Sequence, residues 1–446
     1  MAAFLSFSGK NDSLPAQLMR EGFMKPLIDS HYLRLLFDQA TGGIDRAARR
    51  MAAKIDWSDW KPGRQTVLCL ARAQFRKDIT ELRERTRFNW VTISATKPKK
   101  FQEPWVAPQY RDQTYFTQYL DGNSDGRARH LRSGLEAFGY QFLKAALEIH
   151  PFEAVMAGNT DYWQDDAIKM GCQKLGIPFL VLARENYTKP SDAKYLMSRF
   201  TKSRFRYSGT GVAVFAKETR DVMVNSGSFA DSAVWVTGAP RFDRWLEVGK
   251  APENERVYIT FLSYADPVYS AQRNFAECLK VFAEAAKANT DPELKFIIKV
   301  KKPSEVEPIE AVIPNIAEYP VQISWEMPLY DLLPRSRIAI GYNSLAVAEG
   351  FLTEAPMVIP TWGDALRPEE ESLIYFGNPA DAAVAEFPRN VGELKALIAR
   401  GAAGELRAKG TPAERRARFC RHIALPEAGT CSAEVEKFVA RFVAKP

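Results

Sequence analysis

The stretch richest in chemistry is Ser336-Arg-Ile-Ala-Ile-Gly-Tyr-Asn-Ser-Leu-Ala-Val-Ala-Glu-Gly-Phe351. An apolar run ends at Gly341, a polar turn of Tyr342, Asn343 and Ser344 follows, and a helical pattern begins near Ser344 and carries Glu349. A helix N-terminus offers unpaired N–H groups and the positive end of its dipole, which suits a phosphate. The Ser344 hydroxyl adds a donor there, and a carboxylate such as Glu349 suits the two hydroxyls of a ribose. The plainer reading makes Asn343 and Ser344 an N-cap and Glu349 a solvated helix residue. A second basic element, Lys299-Val-Lys-Lys-Pro303, closes another apolar run. Alternation along a strand puts Lys299 and Lys301 on one side, within reach of a phosphate, unless this is only a solvated basic turn. Ser263, Tyr264 and Asp266 follow a third apolar run and complete the set.

Carboxylates in Gly158-Asn-Thr-Asp-Tyr-Trp163 and Arg184-Glu-Asn-Tyr-Thr-Lys-Pro190 stand just after two further apolar runs. Such a group can remove a proton from an attacking hydroxyl. Glu185 is the first candidate base and Asp161 the second; the alternative is an ion pair with Arg184 or Lys189. His31, His130, His150 and His422 fall outside the strand ends read from the sequence and are expected to be structural. No metal and no cofactor is expected. No DxD stands beside these run ends, Asp165-Asp166 opens a helix where acids are favoured, and the five cysteines (Cys69, Cys172, Cys278, Cys420, Cys431) lack CxxC spacing.

These residues must be held by something. Thr66-Val-Leu-Cys-Leu-Ala71 is a short apolar run suited to a buried parallel strand, a charged helical stretch follows, and Trp90-Val-Thr-Ile-Ser94 is a second strand. Strands at 154–157, 179–183, 211–215 and 233–236, with helices at 132–149, 164–175 and 217–226, continue an alternating pattern that reads as a doubly wound parallel sheet. Polar residues around 246–256 predict a linker. The pattern then restarts with strands at 257–262, 294–300, 321–325, 338–341 and 357–360 and helices at 271–288, 329–333 and 344–351. The expected organisation is a basic helical extension over 1–65, an N-terminal Rossmann-like domain over 66–248, a C-terminal one over 256–424, and a closing amphipathic helix within 425–446 that returns to the first domain. Residues 100–125, rich in Pro, Gln, Tyr and Asp, read as a long surface excursion. Ligands of open parallel sheets bind outside the carboxyl ends of the strands, so two such sheets define a cleft.

Asp331-Leu-Leu-Pro-Arg-Ser-Arg-Ile-Ala-Ile-Gly-Tyr-Asn-Ser, with Ala348-Glu-Gly, Ala355-Pro and Trp362-Gly-Asp, resembles the donor half of GT-B glycosyltransferases that build bacterial capsule and lipopolysaccharide. Val236-Thr-Gly-Ala-Pro-Arg-Phe-Asp243 is similar to the "V-T-G-x-P-x-x-D" element before the linker in such families. The resemblance spans most of 150–365. It implies an α/β GT-B fold of two Rossmann-like domains, with the nucleotide in the C-terminal domain and acceptor chemistry from the N-terminal one. Lys302-Pro303 stands where capsule sialyl- and Kdo-transferase families commonly carry His-Pro, and Arg184-Glu185 where related phosphotransferases often carry His-Gly. The implied activity is metal-independent, inverting transfer of a sugar from a nucleotide-activated donor (CMP-Kdo, or a UDP or GDP sugar) to a surface polysaccharide or glycolipid. Ser263, Lys299, Lys301, Asn343, Ser344 and Glu349 would hold the donor, with Glu185 as base. A non-hydrolysing nucleotide-sugar epimerase, a CDP-polyol phosphotransferase and a catalytically silent scaffold are the alternatives on the same fold.

Composition agrees with a soluble globular chain: 446 residues, 46% hydrophobic and 26% charged, with no run of about 18 apolar residues. The formal charge of +7 favours an acidic partner, whether nucleotide phosphates, an anionic acceptor or the anionic inner leaflet. Nucleic acid is not expected, because no helix-turn-helix, RNP or zinc-finger signature is present. The helical stretch 45–55, with Arg46, Arg49, Arg50 and Lys54, suits either a membrane surface or, more simply, a solvated helix covering a sheet. The N-terminal run is too short for a secretory core, which makes the expected location cytoplasmic, with peripheral contact at the inner membrane.

Overall fold

The structure, a computed structural model, describes residues 43–72, 75–102, 126–160, 162–183, 186–202, 205–248, 252, 255–265 and 271–443. The 103–125 part of the predicted excursion and residues 1–42 of the basic extension lie outside that set.

Two wholly parallel sheets form the framework. The first has six strands: β1 (Thr66–Ala71), β2 (Asn89–Ser94), β3 (Ala154–Ala157), β4 (Phe179–Leu182), β5 (Gly211–Val214) and β6 (Val234–Val236), in the order β2-β1-β3-β4-β5-β6. The second has five: β7 (Tyr258–Leu262), β8 (Lys295–Lys299), β9 (Val321–Ser324), β10 (Ser336–Ile340) and β11 (Met357–Val358), in the order β11-β10-β7-β8-β9. The two-domain Rossmann-like architecture expected from the sequence is therefore present. In each sheet the order reverses beside the first strand, between β1 and β3 and between β7 and β10, which opens a crevice at the carboxyl edge.

The continuous apolar runs follow from burial on both faces. Val67, Cys69 and Ala71 of β1 join one core while Leu68 and Leu70 join another, and every residue of that strand is buried. The second core is closed by the Gly43–Ala52, Gly126–Leu147 and Trp163–Leu175 helices. Burying one such aliphatic side chain is worth roughly 1.5–3 kcal/mol. The Gly43–Ala52 helix carries the first part of the basic stretch and packs on the second core. Ala47, Ala48, Met51 and Ala52 are buried, and Arg49 on the outer side pairs with Glu148 at 2.5 Å. It is a covering helix, with its apolar face spent inside the protein.

The Gly126–Leu147 and Trp163–Leu175 helices touch at glycines. A Cβ on Gly139 would lie 1.7 Å from the Ala167 carbonyl oxygen, so only glycine permits the approach.

The domains are joined twice. The short Arg244–Glu247 helix leads out of the first domain, and the Cys431–Val443 helix lies against it at the other end of the chain. Asp243 fastens that second crossing. It is fully buried and accepts from the Cys431 and Ser432 backbone N–H groups at 2.6 and 2.9 Å and from the Ser432 hydroxyl at 2.6 Å. Gly238 has φ +69°, and an added Cβ would meet the Ala424 carbonyl oxygen at 2.1 Å. The glycine and the aspartate of the Val236–Asp243 element are thus both used to seat the returning C-terminal segment.

Candidate active site

Between the carboxyl edges of the two sheets lies a cavity of about 520 Å³. The second domain supplies Ser263, directly after β7, Lys299 and Lys301 at the end of β8, Trp325 after β9 and Ser344 after β10. The first domain supplies Lys77 and Thr80 from the Phe75–Arg85 helix that follows β1, and Arg241 and Arg244 after β6. Four side chains singled out from sequence, Ser263, Lys299, Lys301 and Ser344, therefore share one space.

Charge is distributed unevenly in it. Arg241 is committed to buried Asp78, donating from Nη1 at 3.2 Å, and Arg244 donates to Glu81 and Glu84 at 2.8 and 2.7 Å. Lys77, Lys299 and Lys301 have no ion-paired carboxylate among the described residues. The Lys299 ammonium instead donates to the carbonyls of Val300 and Trp325 at 2.9 and 2.8 Å. Burial, and then the positive charge of Lys77, lower its proton affinity. Cations from both domains thus face the same volume.

Two hydroxyls stand ready beside them. Ser263 Oγ is buried with no hydrogen-bond partner among the described residues. Ser344 occupies the N-cap position with extended backbone but its side chain makes no capping bond. The helix it precedes, Leu345–Gly350, has six residues, so its dipole is short. The anion-attracting power expected of that helix end comes mainly from the lysines.

Asn343 and Glu349 sit differently. Asn343 adopts φ 45°. Its side chain accepts from Leu373 N–H at 2.8 Å and donates to the Glu371 carbonyl at 3.1 Å. It secures the 371–373 segment and is not among the residues lining the cavity. Glu349 Oε2 accepts from Trp245 Nε1 at 3.1 Å across the domain junction. Enclosure by the protein pushes its carboxyl up to about 7, against the pull of the Trp245 bond and of Arg241 and Lys77. It is a partly buried junction residue, and the solvated-residue alternative does not hold.

Glu185, Asp161 and Asp266 lie outside the described residues. The segment after Glu185 is held firmly. Asn186 Nδ2 donates to the His422 carbonyl at 2.6 Å and its Oδ1 accepts from Thr219 Oγ1 at 2.9 Å, while His422 Nδ1 contacts Thr188 Oγ1 at 2.8 Å. His422 was expected away from the strand ends. It comes instead to the carboxyl edge, beside β4 and β5, because the chain returns there from the second domain and Ala424 N–H bonds the Phe215 carbonyl. Burial pushes its imidazole down to about 3, which keeps the ring neutral. His150 stacks on Trp60 with ring centres 4.1 Å apart. Asp165 and Asp166 pair with Arg72 and Lys169 at 3.3 and 2.8 Å. Among the described residues no helix is long and apolar enough to cross a membrane.

Sequence reasoning missed Lys77 and Arg241. Arg241 lies inside the Val236–Asp243 element, and Lys77 lies in the first turn of the helix after β1, beyond the strand end itself.

No family model and no curated protein matches the sequence. Among solved structures, the chain is similar to a co-structure of S. aureus MnaA with UDP, at 10% identity over 85% of this chain and 97% of that one, TM-score 0.47. It is similar to a UDP-forming α,α-trehalose-phosphate synthase from Burkholderia xenovorans, at 11% identity over 86% and 100%, TM-score 0.43. A UDP-GlcNAc 2-epimerase from Neisseria meningitidis bound to UDP-GlcNAc gives 12% identity over 85% and 99%, TM-score 0.43. Likenesses at this level leave the chemistry to the residues of the cleft.

Proposed function

We propose that the chain is a GT-B-type glycosyltransferase that takes a sugar from a nucleotide-activated donor and passes it to a hydroxyl of a surface glycan or glycolipid. The observation that carries this reading is the shared cavity. Three lysines from two domains, none ion-paired to a carboxylate among the described residues, surround about 520 Å³ at the carboxyl edges of both sheets. Ammonium groups gathered round one cavity repel one another, and a phosphorylated leaving group relieves that repulsion.

In this reading Lys299, Lys301 and Lys77 hold the phosphates, Ser263 and Ser344 donate to their oxygens, and Asn343 keeps the turn before Ser344 in shape. Glu349 is not among the residues lining the cavity and serves the junction through its bond to Trp245. Glu185, which precedes Asn186 in the sequence, takes the acceptor's proton as the acceptor oxygen bonds the sugar and the bond to the leaving phosphate breaks, with Asp161 as second candidate. The lysines carry the departing charge, and no step in this scheme calls on a metal. Incubation with CMP-, UDP- and GDP-sugars and an acceptor glycan tests it. Transfer that falls at least a hundredfold in Glu185→Gln supports the reading. Turnover of the sugar nucleotide without acceptor would favour an epimerase.

A further inference from the structure

Trp57 and Trp60 pack on His150, and Trp235 lies under Arg441. Trp90, Trp245 and Trp362 donate indole hydrogen bonds to Thr86, Glu349 and Glu277. Trp325 differs from all of them. It is 43% exposed, lines the cleft, and its indole has no ring, hydrogen-bond or cation partner among the described residues. Its backbone is nevertheless fixed. The Trp325 carbonyl accepts from the Lys299 ammonium at 2.8 Å, and the Ser324 carbonyl accepts from Val300 N–H at 3.0 Å. Ser324 Oγ accepts from Met327 N–H at 3.2 Å, which closes the turn. A bare indole thus springs from the residue whose carbonyl holds the lysine assigned to the phosphates. An aromatic face next to a phosphate-binding cation is a surface on which a nucleobase stacks.

Glu326 follows on the same turn. It is exposed, lines the cleft, and makes no hydrogen bond or ion pair among the described residues. A carboxylate only accepts, so it repels phosphate and suits a group with N–H donors. Its two oxygens match two adjacent donors best. Guanine presents such a pair, N1–H beside the 2-amino group. Uracil flanks its single N–H with carbonyl oxygens, which a carboxylate repels. Cytosine and adenine set their amino group beside a ring-nitrogen acceptor.

We propose, on the reading of the cavity as the donor site, that Trp325 is the stacking platform for the donor's base and that Glu326 selects guanine, which makes the donor a GDP-sugar. Calorimetric titration of the protein with GDP, IDP, UDP, CDP and inorganic pyrophosphate tests this. GDP binds about tenfold more tightly than UDP or CDP, and about tenfold more tightly than IDP, which lacks the 2-amino group. Trp325→Ala weakens GDP by about tenfold and leaves pyrophosphate affinity unchanged, while Trp325→Phe restores most of the loss. Glu326→Ala brings GDP and IDP to equal affinity. GDP affinity indifferent to Trp325→Ala, with pyrophosphate still bound, overturns the platform and leaves the donor-site reading standing. Tighter binding of UDP or CDP than of GDP, or a GDP–IDP difference that survives Glu326→Ala, overturns the selection of guanine. Failure of the wild type to bind pyrophosphate or any of the nucleotides overturns the donor site, and the base assignment with it.

Discussion

Among the described residues Lys299 gains only carbonyl partners, and its ammonium is disfavoured by burial and by Lys77. An anion in the cleft supplies what is missing. Hydrogen bonds to charged groups are worth about 1.5–3 kcal/mol each, so Lys299→Ala should weaken pyrophosphate binding by roughly one to two orders of magnitude, measured by calorimetry. Glu349 gives a prediction of opposite character. Burial raises its carboxyl from the ordinary glutamate value of 4.5 to about 7, so the native state holds the proton more tightly than the unfolded chain. Its stabilising contribution is complete below about pH 4.5 and is lost as pH rises towards 7. Urea unfolding at pH 5 and pH 8 should show wild type losing stability across that interval relative to Glu349→Gln, by at most a few kcal/mol. An identical pH dependence in the two proteins would show that Glu349 is not the titrating group.

At the level of elements, the strands were legible because a parallel strand buried on both faces must be a short unbroken apolar run. Thr66–Ala71 and Tyr258–Leu262 are both of that kind. The strand-end rule then led directly to Ser263, Lys299, Lys301 and Ser344. It did not reveal how Asn343 is used, since its partners at 371 and 373 arrive from a segment that sequence patterning does not dock. Nor did it give the surroundings of Glu349, which depend on Trp245 from the other side of the junction. The Pro190–Lys202, Val391–Ala402 and Pro412–Cys420 helices went unread, although the last carries a full capping box at Thr411 and Glu414. The Val236–Asp243 element makes its own prediction. Asp243→Ala leaves two buried N–H groups and a hydroxyl without their acceptor and should cost about 3 kcal/mol or more, read from denaturant midpoints. A change under 0.5 kcal/mol would mean that the C-terminal helix is held by its apolar face alone.

For the whole molecule, what matters is that neither domain forms the cleft by itself. Lys77 is placed by the first sheet and Lys299 by the second, and only the two crossings at 244–247 and 424–443 bring them to one cavity. Pairwise contributions across such a site are expected to couple, so the double variant Lys77→Ala/Lys299→Ala should lose less than the sum of the single losses. The most direct measurement is equilibrium binding of CMP, UDP and GDP to the wild type and to each single lysine variant at fixed ionic strength. The account predicts that at least one nucleotide binds and that Lys77→Ala and Lys299→Ala, from different domains, each weaken it tenfold or more. No binding by any of the three, or binding that neither variant disturbs, would contradict it.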